Sequence, residues 1–245
     1  MSGDDGLSEG IGPAAKIALR QAAAEDDDHA ASSWCARLGR FGMVEAARRH
    51  FRPAAEEGEL ASVKCMVWLG WEAGDDGDAR TWLERAARTG DPWSMYELGR
   101  SVPEDEAERW YRRAAVAGHA PAMNDLGSRL SRTGHRDEAM GWYRRAAEAG
   151  LDIAMNNLAI QYVVRGDHAD AALWFRRAAD TGNVDGMANL GRLKQEAGEL
   201  QDAESWLTAA AGKGHDGAME RLAVLMAETD RPDEAEAWRA RMSRR

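Results

Sequence analysis

The residues that could carry out acid–base, nucleophilic or metal chemistry are few in this 245-residue sequence, and they are scattered. It has six histidines and two cysteines, Cys35 and Cys65, with no CxxC pair and no histidines grouped at metal-ligand spacing. His119 and His215 each follow a glycine at equivalent places, which is typical of a repeated structural role. No phosphate-binding loop, GxSxG motif or GxGxxG motif is present. The sequence therefore predicts no catalytic residue, no metal site and no cofactor, and we expect that the protein is not an enzyme.

The composition favours helices and an acidic surface. Hydrophobic residues make up 44% of the chain but aromatic residues only 7%, so alanine supplies much of the apolar content. Together with 30% charged residues, this is typical of an all-α protein. The net charge of −10 argues against a nucleic-acid partner, which calls for a basic surface.

The sequence also bears on location. It shows no signal-peptide pattern and no apolar stretch approaching the ~18 residues that a membrane span requires, so we expect no membrane partner. Two cysteines without a pairing pattern fit a reducing compartment. These features predict a cytoplasmic protein, and the four lysines against 28 arginines indicate a GC-rich bacterial genome.

A repeat of 32 residues organises the chain. Glycines, alanines and methionines recur in one register with five tryptophans. These tryptophans are Trp110, Trp142, Trp174, Trp206 and Trp238. In one repeat, Met123, Leu126 and Leu130 share a helix face, and Gly134 is placed to end that helix. Each repeat is therefore predicted to be a pair of short antiparallel helices whose apolar faces are covered by the neighbouring repeats.

The periodicity sets the predicted boundaries. Residues 1–12 are predicted to be a disordered tail, and residues 13–245 a single domain that begins with a capping helix over residues 13–26. The repeats that follow are 27–58, 59–90, 91–118, 119–150, 151–182, 183–214 and 215–245.

The third repeat is shorter than the others. Eight residues separate Gly99 from Ala107, whereas 12 separate Gly127 from Ala139, so about one helical turn is missing. Pro103 lies in the shortened connection. We expect a local change of curvature and a shallow notch there.

Several segments resemble the Sel1-like branch of the tetratricopeptide repeat superfamily. They are residues 142–150 (WYRRAAEAG), 154–159 (AMNNLA), 174–179 (WFRRAA) and 110–115 (WYRRAA). The resemblance covers about residues 14–245. The turn at 134–137 (GHRD) is shorter than the Gly-x-Gly-Val loop usual in the Sel1-like branch and is closer to an ordinary tetratricopeptide repeat.

This resemblance implies a right-handed α-solenoid whose first helices line a concave groove, and a scaffold or adaptor that binds a protein or peptide partner. The residues implied to face the groove are Lys64, Trp68, Trp71, Trp93, Tyr96, Arg100, Asn124, Asn156, Asn157, Asn189 and Arg192. The first six form an aromatic cluster with two cations, a composition that is enriched at binding hot spots. Alternatively, the cluster is packing around the shortened repeat. The asparagines could pair with the backbone of an extended peptide.

Two other functions are alternatives. A self-assembling structural module could form a homodimer through the C-terminal helix, because no repeat follows to cover Trp238. A regulator that senses a small ligand is supported only by the tryptophan cluster.

Substitutions at the repeated small and aromatic positions test the predicted packing. Ala139→Leu or Ala171→Leu should lower the free energy of unfolding by about 1–3 kcal/mol, because an added side chain overpacks a close helix contact. The recurrence of the tryptophans predicts that they are core, so Trp142→Ala or Trp174→Ala should lower it by about 3–5 kcal/mol. Urea unfolding followed by circular dichroism measures both, and no change at either alanine would contradict the helix-pair packing.

Overall fold

A computed structural model describes residues 11–25 and 27–242. Within these residues there are fifteen helices and no strand, which confirms the all-α solenoid fold of helix pairs. The contacts divide the chain into two compact units, an N-terminal unit over residues 1–122 and a C-terminal unit over residues 123–245, and each is described by itself. The single domain predicted over residues 13–245 stays a prediction.

Seven of the helices are the first helices of the repeats. They are α2 (Asp28–Arg40), α4 (Leu60–Glu72), α6 (Pro92–Ser101), α8 (Ala120–Arg132), α10 (Asp152–Arg165), α12 (Val184–Glu196) and α14 (Asp216–Glu228). Most have 13 residues, whereas α6 has 10, where the sequence lacks a helical turn.

The second helices alternate with the first. They are α3 (Val44–Glu56), α5 (Asp76–Arg88), α7 (Glu104–Val116), α9 (Arg136–Glu148), α11 (His168–Asp180), α13 (Leu200–Gly212) and α15 (Pro232–Met242). Ahead of the repeats lies α1 (Pro13–Glu25), close to the predicted capping helix. The predicted tail, residues 1–12, lies outside the described residues except for Ile11 and Gly12, and Ile11 is buried, so the prediction is wrong for Ile11.

Most turns between helices share one hydrogen-bond pattern, and the turn after α6 departs from it. After α9, Gly150 donates its N–H to the Ala147 carbonyl at 3.0 Å and Leu151 donates to the Ala146 carbonyl at 3.1 Å, which is the Schellman arrangement. Gly150 has φ of 93°, a left-handed conformation that costs glycine little. The same position after α14 is filled by Asp230 with φ of 60°.

Small residues allow the two helices of a repeat to touch. A side-chain carbon added to Gly127 on α8 would lie 3.0 Å from the Tyr143 ring and 3.2 Å from the Ala139 carbonyl oxygen on α9. Ala139 is fully buried and Tyr143 is buried, and burial raises the pKa of the tyrosine hydroxyl. Glycine and alanine at these places therefore let a bulky neighbour on the second helix fill the core.

The repeated tryptophans are less buried than the sequence predicts. Trp82 and Trp174 are buried, but Trp110, Trp142, Trp206 and Trp238 are only half-buried. An arginine three residues later stacks on most of these rings, as Arg145 does at 4.6 Å from the Trp142 ring centre. The next residue in the chain is buried after most of these tryptophans, as Phe175 is after Trp174, whereas Arg239 after Trp238 is exposed. The prediction that all these indoles are core is wrong, because this position lies at the rim of the helix contact.

Two charged clusters tie second helices to their neighbours. Arg48 on α3 donates hydrogen bonds to Asp78 at 2.6 Å and to Asp75 at 3.2 Å, both from the first turn of α5 or its cap. In the C-terminal unit, Arg231 reaches Glu204 on α13 through two nitrogens, at 3.1 and 2.6 Å. Paired guanidinium contacts of this kind fix the spacing of successive repeats.

The difference between rim and core gives a direct comparison. Phe175→Ala should lower the free energy of unfolding by about 3–5 kcal/mol, because the ring is fully buried. Trp142→Ala should cost less than Phe175→Ala, since the Trp142 indole is half-buried. Chemical unfolding of both variants measures the order, and equal losses would contradict the rim assignment.

Candidate functional site

The helix α4 is enclosed by other helices more completely than a repeat helix usually is. All nine residues from 62 to 70 are buried, because α1, α2, α3 and α5 contact it from different sides. A helix that is apolar all round is typical of such a position. The sequence carries this signal as a nearly unbroken apolar run over 63–71 (VKCMVWLGW), interrupted only by Lys64.

Lys64 forms a buried ion pair at the start of the shortened repeat. Its Nζ lies 3.1 Å from Oδ1 of Asp91, and both side chains are 4% exposed. The second oxygen of Asp91 accepts the N–H of Ser94 at 2.8 Å and its hydroxyl at 2.6 Å, which caps α6. The ammonium also lies 5.4 Å from the centre of the Trp93 ring. Lys64 therefore joins α4 to the beginning of α6.

Three tryptophans stack beside this ion pair. Trp93, 2% exposed, lies edge-on to Trp68 at 5.3 Å and to Trp71 at 6.3 Å between ring centres. Trp68 is 4% exposed, whereas Trp71 is 37% exposed. Edge-to-face aromatic pairs at these distances are favourable beyond their burial, so the buried rings hold the exposed one in place.

The predicted groove-facing group thus divides into buried and accessible residues. The expectation of an open position is wrong for Lys64 and Trp68, because α1 and α2 cover α4, and it is wrong for Trp93, which packs on α6 against the tryptophans of α4. For these three residues the packing alternative describes what the structure shows. Trp71 and Arg100 are exposed.

Tyr96, the sixth residue of that group, is half-buried between two other rings. Its ring lies 5.6 Å from Tyr111 and 4.7 Å from His119. It therefore contributes mainly to packing between α6 and α7.

The accessible residues surround a cleft of about 310 Å³ between α2, α4 and α6, which we call the Trp71 cleft. It is lined by Ser32, Cys35, Trp68, Trp71, Glu72, Glu97 and Arg100. Of these, the sequence predicted Trp68, Trp71 and Arg100 but missed the two carboxylates. Glu97 and Lys64 occupy the repeat positions of Asn157 and Asn124, and this shared register is the signal that could have found Glu97.

An ion pair within α6 fixes one wall of the cleft. Arg100 donates from Nη1 to both oxygens of Glu97, at 3.0 and 3.2 Å. The Glu97 side chain is 7% exposed and that of Arg100 is 57% exposed. The negative charge of Glu97 and its hydrogen bond raise the pKa of Arg100 above its ordinary value.

The surroundings of both cysteines disfavour the thiolate form. Burial, followed by the negative charge of Glu72, raises the pKa of Cys35 to about 12, and burial raises that of Cys65 further. Cys65 is fully buried. Thiols that stay protonated are weak nucleophiles, so Cys35 is an apolar part of the cleft wall.

In the C-terminal unit, the predicted asparagines bind one another. Asn157 donates its amide to Asn124 at 2.9 Å, and Asn189 donates to Asn156 at 3.0 Å. These contacts join α8 to α10 and α10 to α12, and we call them the amide ladder. The ladder occupies hydrogen-bonding groups that were expected to meet a peptide backbone, and Asn156 is buried.

Other groups of the same unit are more accessible. Arg192 is half-buried and pairs with Glu196 at 2.8 Å. Ile153, Ile160 and Val164 are exposed on α10, at spacings that place them on one face. A separate depression of about 430 Å³ lies between α11, α12 and the start of α13.

Residues 11–25 and 27–242 contain no group of three or more histidine, cysteine or acidic side chains placed to hold a metal ion. None of the helices among them has both the length and the apolar character needed to cross a bilayer.

Comparison with known proteins supports the fold. Residues 120–149 match the model of a family described as tetratricopeptide repeat. A protective antigen of uropathogenic Escherichia coli with an SLR fold has 23% identity and a TM-score of 0.70, over 90% of this chain and 54% of that one. This chain thus spans about half the length of that antigen.

Two further solved structures are similar in fold. A Sel1 repeat protein from Oxalobacter formigenes has 23% identity and a TM-score of 0.64, over 85% of this chain and 94% of that one. The pilF protein of Pseudomonas aeruginosa has 15% identity and a TM-score of 0.58, over 82% and 92%. A comparison with curated protein sequences gave no match. The family-model match covers one repeat, and the likeness to these solved structures is one of fold.

The buried ion pair predicts a large effect from a small change. Asp91→Asn keeps a side-chain oxygen for the cap of α6 but removes the charge opposite Lys64. The free energy of unfolding should fall by about 3–5 kcal/mol, because the ammonium then lacks its buried counter-charge. Urea unfolding measures the loss.

The exposed pair between Arg80 and Glu84, at 3.1 Å, provides the control. Glu84→Gln should change the free energy of unfolding by less than about 0.5 kcal/mol. If Asp91→Asn also changed the free energy of unfolding by less than about 0.5 kcal/mol, the ion pair between Lys64 and Asp91 would not stabilise the fold.

Proposed function

We propose that the protein is an interaction scaffold that binds a segment of a partner protein in the Trp71 cleft. Repeat proteins of this fold are generally protein–protein interaction scaffolds and generally non-enzymatic. The residues that line the cleft offer recognition groups rather than an arrangement of acid, base and nucleophile. A cytoplasmic location and the alternative homodimer remain predictions from the sequence.

The observation that carries this proposal is the partial exposure of Trp71. A ring of this size buries much apolar surface when a partner covers it, and tryptophan is enriched at hot spots of binding. Here one edge of the indole packs against the buried Trp93 while 37% of the residue remains accessible. The ring is therefore already held in position, and little side-chain entropy is lost on binding.

The cleft also has the shape expected of a hot spot. It is lined by apolar groups, Cys35 and Trp68, at its base and by the charged groups Glu72, Glu97 and Arg100 at its sides. An apolar centre with a polar rim excludes water from the contact and sets the orientation of the bound segment. At about 310 Å³ the cleft accommodates a side chain rather than a whole helix.

The test is the affinity of Trp71→Ala for a partner recovered with the wild-type protein. Because the indole is the exposed anchor, we expect affinity to fall by about tenfold or more. Titration calorimetry with the purified partner measures the change. Trp142→Ala, which removes a half-buried indole in the C-terminal unit, is the matched control and should bind as the wild type does.

Hydrogen exchange of the complex gives a second measurement. Bound partner should protect the ends of α4 and α6, near Trp71 and Arg100. Full affinity of a folded Trp71→Ala variant, or protection confined to the second helices, would overturn the proposal.

A further inference from the structure

The charges around the Trp71 cleft do not cancel. Arg100 is the one cationic side chain among the seven described residues that line it. Its Nη1 is already bonded to both oxygens of Glu97, at 3.0 and 3.2 Å. This pair is locally neutral, so Arg100 does not offset the second carboxylate of the cleft, that of Glu72.

Glu72 is the last residue of α4 and is exposed. Within the residues that the structure describes, its carboxylate takes part in no ion pair and no hydrogen bond. The carboxylate lies against α2, in space that is open because Gly39 has no side chain. The cleft thus presents one uncompensated negative charge beside the exposed indole of Trp71.

The described residues of the N-terminal unit are also acidic overall. Residues 11–25 and 27–122 contain 18 acidic and 15 basic residues, a net charge of −3. A field of this sign attracts cationic segments and repels acidic ones before contact.

We propose that the Trp71 cleft takes a basic side chain, arginine or lysine, from the partner segment. The alkyl stem of the basic side chain lies against the indole of Trp71. Its charged group lies near the same ring and pairs with the Glu72 carboxylate. Cations bind the faces of tryptophan rings, and the contact strengthens where water is excluded. This inference rests on the proposed function and specifies the chemistry of the ligand.

An acidic ligand fits the cleft less well. The charge of Arg100 is already balanced by Glu97, and a partner carboxylate beside it would also face Glu72. Repulsion from these two carboxylates against a single guanidinium is unfavourable, so the cleft discriminates against acidic side chains.

Selection of random peptides on the full-length protein tests the inference. Peptides that bind the wild type but not Trp71→Ala should be enriched in arginine or lysine at one position. For such a peptide, Glu72→Gln should weaken binding about tenfold, because a charge-assisted contact is lost. Glu228→Gln, at the equivalent place on α14, is the matched control and should leave affinity unchanged. Glu72→Lys should reverse the preference towards acidic peptides.

The outcomes separate this inference from the proposed function. Peptides that depend on Trp71 but lack a basic residue, or that bind Glu72→Gln as tightly as the wild type, would overturn the basic-ligand inference alone. If no peptide depends on Trp71, the proposed function fails and this inference fails with it. Thermal unfolding of each variant shows whether it is folded, and the isosteric change at exposed Glu72 should not disturb the fold.

Discussion

The close contact between the two helices of a repeat constrains most of this structure. Where α8 meets α9, Gly127 has no side chain and Ala139 has only a methyl group, so the backbones approach until the Tyr143 ring fills the remaining space. The same contact recurs between Gly191 on α12 and Leu207 on α13. Because this contact fixes which face of the second helix points inward, the residue directly before the buried one, such as Trp142 before Tyr143, lies at the rim of the contact. Tryptophan at that place is therefore left partly exposed and is covered by an arginine side chain rather than by the core.

The helix α4 differs from the other first helices because it is covered on all sides, and this difference produces the candidate site. It carries apolar residues around its whole circumference because α1 and α2 pack where other first helices are open. The single cation in this environment, Lys64, is stabilised by Asp91, and Asp91 also begins α6. The same arrangement positions the Trp93 ring, which supports Trp71 at the surface. The burial of Lys64, the capping of α6 by Asp91 and the position of Trp71 at the surface therefore depend on one another.

The sequence predicted the helix pairs well because their determinants are local. The left-handed glycines, such as Gly150, mark helix ends, and the small residues recur with the period of the fold. The burial of a side chain depends instead on which other helices cover its face of the helix. The periodicity of the sequence gives only the direction in which the side chain points. Trp68 therefore lies at a groove position of the repeat and is nevertheless buried beneath helices from the start of the chain. The carboxylates of the Trp71 cleft were missed because Glu72 gains its role only from the space beside Gly39 on another helix.

The pair of Lys64 and Asp91 also bears on how nearly identical repeats assemble in the correct order. The residue that precedes each later first helix is His119 before α8, Leu151 before α10, Asn183 before α12 and His215 before α14. If α4 stacked on any of these helices instead of α6, its ammonium would meet a residue other than aspartate at this position, and a buried cation that loses its counter-charge is unfavourable. The ion pair between Lys64 and Asp91 therefore favours packing of the second repeat against the third over packing against any later repeat.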